Sequence, residues 1–213
     1  MKFIKKAVLF ILPVFLFSCA ASYKPIYPPK LNYSAHRLDD GISFSYKYDV
    51  LSEKGNRKYS RKEEIKRIKL VAVKITNNTD SILKIGQDIQ FYSGSNQLIP
   101  MDPNTVKHEV KQYTFSYMLY LLLTPLKLYV SDGYNVETYS IGYGLGPGIS
   151  LINMAIAGNA NSEFSKELTE YSIVGVDLEK GETIYGMIGF KDMGYDPIKI
   201  KVNENIYSAN ADF

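Results

Sequence analysis

The chain has 213 residues, 46% of them hydrophobic, with 25 basic and 22 acidic side chains and a formal charge of +3. That length supports one domain with a proper core, and so small a charge gives no support to nucleic-acid binding. A single cysteine excludes an intrachain disulfide and a thiolate metal site.

The basic excess sits at the start. Lys2, Lys5 and Lys6 precede an uncharged apolar run, Ala7 to Phe17, interrupted by Pro13. The run is about half the roughly 20 residues that span a bilayer as a helix, and it reads as a removable secretory leader. An ordinary secretory site takes a small residue three places before the cut, where this chain has the bulky Leu16. Leu16-Phe17-Ser18-Cys19 resembles instead the lipobox of bacterial lipoproteins, with cleavage between Ser18 and Cys19. Phe17 is larger than the residue usual at its place. The resemblance covers residues 1–19 and implies a diacylglycerol thioether on the Cys19 sulfur, with an acyl chain on its amine. The membrane is then a partner through these chains, and at ~0.8 kcal/mol per buried methylene two or three of them give lasting attachment. Ala20, where an inner-membrane lipoprotein has Asp, implies sorting to the outer membrane, and the lack of an acidic run implies that the protein faces the periplasm. Loss of three lysines with the leader leaves 22 basic residues against 22 acidic ones, a formal charge of zero.

From residue 19 to residue 40 the chain reads as a tether. Pro25, Pro28 and Pro29 among Tyr23, Tyr27 and Tyr33 favour an extended backbone, and Asp39-Asp40-Gly41 turns it into the folded part. Residues 41–213 read as one domain. Residues 42–51 alternate as a strand. The stretch from Glu53 to Lys69, in which basic residues outnumber acidic ones, reads as a solvated connection and strand edge.

Leu70 to Ile75 is a strand apolar on both faces. The Asn77-Asn78-Thr79-Asp80 turn follows, then a second strand over 82–92 that breaks near Gly86. This strand, turn and strand resemble the immunoglobulin-like sandwich domains found in lipoproteins of the Bacteroidota type. The expected fold is therefore mainly β, an immunoglobulin-like antiparallel β-sandwich. Asp80-Ser81-Ile82 matches a three-residue O-glycosylation signal of the same group, which makes Ser81 a candidate attachment site.

The β pattern lapses over residues 102–170. Asp102-Pro103 is an N-cap and first-turn pair, and Val106, Val110, Tyr113, Tyr117 and Leu121 keep helical spacing. A polar loop, Ser131 to Ser140, separates this run from a second. Gly142, Gly144, Gly146 and Gly148 do not fit the dinucleotide fingerprint, which leaves close backbone packing ahead of a helix starting near Pro147. The expectation is an inserted α-helical hairpin over 113–158. Three readings remain open for it: helices packed on the sheets, a membrane-inserting module, or a docking surface for an envelope protein partner. The candidate contact residues are Phe115, Met118, Leu121 and Leu122 in the first run, and Leu145, Ile149, Ile152 and Ile156 in the second. An already anchored protein needs no second anchor, which favours packing.

β character returns with strands at 173–176, 184–190 and 198–202. Residues with chemistry are sparse. His36 and His108 are the only histidines, His108-Glu109 lacks the second histidine of a zincin helix, and no nucleophile elbow or P-loop occurs. The expectation is no enzyme, no cofactor and no metal, and a non-catalytic binding or scaffolding role at the cell envelope.

Overall fold

The computed structural model describes residues 19–33 and 35–203. The expected leader and its cleavage residues Leu16 and Ser18 lie outside them. The chain divides into two compact units. Among the described residues, one holds Tyr23–Lys111 and residues 163–203; the other holds residues 19–22 together with Gln112–Ser162.

The larger unit is built on antiparallel sheets with substantial helix. Its elements in chain order are β1 (Ala35–Asp39), β2 (Ile42–Lys47), α1 (Val50–Glu53), α2 (Arg57–Lys66), β3 (Ile68–Asn77), β4 (Leu83–Lys84), β5 (Ile89–Ser93), β6 (Asn96–Leu98) and α3 (Pro103–Val110). After β7 (Leu128–Ser131) and β8 (Val136–Tyr139) of the smaller unit, and helix α4 (Gly142–Glu170), whose residues from Glu163 belong to the larger unit, come β9 (Asp177–Leu178), β10 (Thr183–Lys191) and β11 (Ile198–Val202). One sheet has the order β1-β2-β3-β10 and a second β11-β5-β6, while β4 pairs with β9. Side chains of both larger sheets meet in one core. Phe44 of β2 lies 6.0 Å from Phe91 of β5, and Phe91 lies 5.6 Å from Phe190 of β10, centroid to centroid. All three rings are buried, and each such side chain stabilises the fold by about 1.5–3 kcal/mol.

β3 is apolar on both faces because both are covered. Val71, Val73 and Ile75 enter the common core, while Leu70 and Ala72 are buried on the opposite face. α2 lies against β3, and Glu63 of α2 accepts the Leu70 amide at 2.7 Å. The charged stretch over 53–69 is therefore helix over most of its length, not a loose connection. Tyr59 and Glu63, one helical turn apart, point inward, and the surplus of basic side chains occupies the remaining faces.

The N-terminal segment corrects the expected tether. It has no regular secondary structure before the 3-10 turn Pro28–Lys30, but Tyr23 and Ile26 are buried. Tyr23 packs edge-on against Tyr59 and Phe164, each at 5.4 Å. Glu167 anchors the segment by accepting the Tyr23 hydroxyl at 2.5 Å and the Ile26 and Tyr27 amides, each at 2.8 Å. Aromatic residues among prolines here serve packing.

The strand expected at 173–176 is a turn, with Gly175 at φ +82° and Asp177–Leu178 pairing with β4 instead. Ile173 occupies the space above Gly186 of β10, where any Cβ would collide with it. Asp102 caps α3 as expected, accepting the Asn104 and Thr105 amides at 2.9 and 3.1 Å.

The smaller unit corrects the expected helical hairpin. Thr114–Leu123 is a 3-10 helix, β7 and β8 form a two-stranded hairpin, and only α4 is a long α-helix. α3 ends at Val110 because Lys111 turns to an extended conformation. Gln112 is then held by Asn161: its amide donates to Asn161 Oδ1 at 2.8 Å, and its carbonyl accepts Asn161 Nδ2 at 2.9 Å. α4 begins at Gly142, ahead of the expected start. Gly142 and Gly146 abut the backbone of residues 120–126, and a Cβ at either would collide there. Gly144 and Gly148 face open space, so two of the four glycines, one helical turn apart, make the close approach.

Candidate functional site

The smaller unit carries most of the residues singled out from the sequence. A 3-10 helix has three residues per turn, so its side chains form rows at i, i+3 and i+6. Tyr117, Tyr120 and Leu123 make the inward row and pack with Ala157, Ile149, Met154 and Ala20. Phe115, Met118 and Leu121 make a second row, and Leu119 and Leu122 belong to a third; all five are exposed, Leu122 at 74%. On α4, Leu145, Ile152 and Ile156 are exposed, while Ile149 is half-buried in the unit's own core. Seven of the eight sequence candidates thus reach the surface.

Other apolar residues join them that the sequence reading left out. Leu151 is exposed on α4, and every residue of β7 and β8 is exposed, including Leu128, Tyr129, Val130 and Val136. The turn between these strands carries Tyr134 at 98% exposure. From Gln112 to Ser162 the sequence holds just three charged side chains, Lys127, Asp132 and Glu137. The missed signal is this depletion of charge.

Cys19 is exposed and belongs to the same unit. The residues after it are pinned: the Ala20 amide donates to Asn153 Oδ1 at 2.6 Å, and Ala21 exchanges hydrogen bonds with the Gln112 side chain at 3.1 and 2.6 Å. Any group attached to the Cys19 sulfur therefore leaves from a fixed point on this apolar unit. Among the described residues, no helix is long and apolar enough to cross a membrane.

The larger unit has a polar cleft of about 570 Å³, lined by Asp49, Ser52, Arg61, Glu63, Lys69 and Tyr195 among others. Lys69 Nζ donates to the Tyr195 hydroxyl at 2.5 Å, and that hydroxyl donates to Asp49 Oδ1 at 2.8 Å. Burial opposes charge on Lys69, but Tyr195 and Asp49 outweigh it and raise its pKa. Burial pushes the Glu63 carboxyl up to about 7, against the lowering effects of the Leu70 amide and Lys69. Asp49, Lys69 and Tyr195 mostly satisfy one another, and Glu63 is committed to the β3 backbone. The cleft was hidden in the sequence because its residues come from four separate stretches of chain.

No family model, no curated protein and no solved structure matches this chain.

Ser81 lies in the turn after β3. Asn77 Nδ2 donates to the Ser81 carbonyl at 2.8 Å, and Asn77 Oδ1 accepts the Thr79 hydroxyl at 2.7 Å. Asp80 beside it is exposed and ion-paired with Lys180, which holds its carboxyl below the usual range. Among the described residues no group of three or more His, Cys, Asp or Glu side chains is placed to hold a metal ion.

Proposed function

We propose that this protein is a lipid-anchored lipoprotein of the cell envelope, held through acyl chains on Cys19, with a non-catalytic binding or scaffolding role. The observation that carries the reading is the placement of Cys19: exposed, preceded in sequence by the Leu16-Phe17-Ser18 lipobox, and followed by two residues whose backbone is fixed on an apolar unit. The larger unit is read as an immunoglobulin-like antiparallel β-sandwich. Support for that finer reading comes from the two sheets sharing one core and from the strand, turn and strand pattern of β3 to β5. Outer-membrane placement facing the periplasm, and an envelope protein as partner, complete the proposal.

Only three residues, 20–22, separate the lipidated position from the buried Tyr23, a reach of four residue steps. Fully extended it spans roughly 14 Å at the 3.3–3.6 Å each residue allows. The anchor is therefore a short leash on the body of the protein, which suits holding a binding face near the membrane.

The test is mass analysis of the native N-terminal peptide with metabolic fatty-acid labelling. The expected result is a peptide that starts at Cys19 and carries acyl mass, and Cys19→Ala abolishes the label. An unacylated peptide, or a native chain that retains residues 1–18, overturns the anchor.

A further inference from the structure

We infer that the smaller unit is a membrane foot: its exposed apolar surface lies in the headgroup and acyl boundary of the leaflet that receives the Cys19 acyl chains. The inference deepens the lipoprotein reading and rests on it for bringing the protein to a bilayer. Three observations carry it.

The first is the amount of apolar side chain left open. Water-exposed monomers seldom leave more than a few hundred Å² of contiguous apolar surface uncovered. Here Phe115, Leu119, Leu122, Leu151 and Ile152 are each more than 60% exposed within one unit. The β7–β8 hairpin is exposed on both faces, and a lone two-stranded hairpin is at best marginally stable in water.

The second is charge. Protein interfaces surround an apolar centre with a polar, charged rim. This unit has almost no rim to offer, with Lys127, Asp132 and Glu137 as its charges, whereas the chain as a whole is 22% charged. A surface of that kind fits hydrocarbon and headgroups better than a protein partner. Exposed Tyr113, Tyr129, Tyr134, Tyr139 and Tyr143 add the amphipathic rings that settle at a membrane–water boundary.

The third is geometry. Hydrogen bonds with Asn153 and Gln112 hold residues 20 and 21 on this unit, so acyl chains on Cys19 start from the same unit that carries the open apolar side chains. Shallow burial also fits the backbone. The hairpin has open strand edges, which hydrocarbon cannot satisfy but the hydrated headgroup region can, and none of the described helices is long and apolar enough to cross.

The chain contains no tryptophan, so one introduced tryptophan is a clean reporter. Leu122→Trp, Ile152→Trp and Tyr134→Trp place it on the foot at exposed positions. Ile65→Trp places it on α2 of the larger unit, where Ile65 is 64% exposed. Each full-length lipoprotein is matured in its host and purified. After a far-UV circular dichroism check of folding, it is reconstituted into phosphatidylethanolamine–phosphatidylglycerol vesicles with or without brominated acyl chains. The expected result is a blue-shifted emission that is largely lost in brominated vesicles for Leu122→Trp and Ile152→Trp, partial loss for Tyr134→Trp, and no loss for Ile65→Trp. Unquenched foot tryptophans in vesicle-bound, acylated protein overturn the inference and assign the surface to a protein partner. Quenching without acyl mass on Cys19 keeps the foot and sinks the anchor; no vesicle binding and no acyl mass sinks both.

Discussion

Glu167 accepts three donors from the N-terminal segment while nearly buried itself, and two of those donors are backbone amides with no other acceptor supplied by helix or sheet. Glu167→Ala leaves them unpaired and is expected to cost about 2–4 kcal/mol, read as a lowered Tm and as faster protease cleavage between Ser22 and Tyr27. Glu63 supplies the pH dependence. Its carboxyl titrates near 4.5 when unfolded and at about 7 when folded, so the folded state binds the proton more tightly. Stability from this group is full below pH 4.5, declines as pH rises toward 7 and is lost above it. The loss is on the order of 3 kcal/mol at most. Glu63→Gln keeps an acceptor for the Leu70 amide and is expected to flatten the chemical-denaturation stability curve between pH 4.5 and 7. An unchanged slope would show that another group titrates there. Neither role was legible in the sequence, where Glu63 sits in a charged run and Glu167 between Lys166 and Leu168 in a segment rich in charge. A carboxylate's burial depends on what packs over it, and that comes from distant chain.

At the scale of elements, apolar spacing foresaw which segments are regular better than it foresaw their geometry. The strands Ile68–Asn77, Thr183–Lys191 and Ile198–Val202 stand near their expected places, since alternation and double-faced apolarity mark strands directly. Residues 114–123 were misread as α because a run apolar nearly all round carries no period. The 3-10 rows appear only once Tyr117, Tyr120 and Leu123 find partners. The glycines of α4 were legible as a packing device, though not which two approach the neighbouring backbone. Gly146→Val drives a branched side chain into Thr124 and the Tyr120 carbonyl. The expected effect is loss of amide-exchange protection over residues 114–123 and 142–158, with β3 and β10 protected as before. Gly148→Val, facing open space, serves as the control.

On the scale of the molecule, two balances matter. On the proposed lipoprotein reading, removal of residues 1–18 would bring the formal charge to zero, and attachment would then rest on acyl chains and apolar contact and not on charge. In the labelling experiment on Cys19, wild-type protein is accordingly expected to stay with the membrane fraction through high-salt washing. The second balance is the uneven spread of charge. Between Gln112 and Ser162 the chain has three charged side chains and many exposed apolar ones, while the larger unit is rich in charge, a division that fits the proposed membrane foot.

By itself the sequence determined the leader pattern, the single cysteine, the net charge and the run of strands, because each is local: a count, a spacing or an alternation. The folded molecule decided the rest. Cys19 lies near the start of the chain, yet the residues beside it are held by Gln112 and Asn153, about a hundred residues away. Burial and exposure are properties of packed neighbours, so only tertiary structure could show the proline-rich tether strapped down at Glu167 and the apolar run at 113–158 left open.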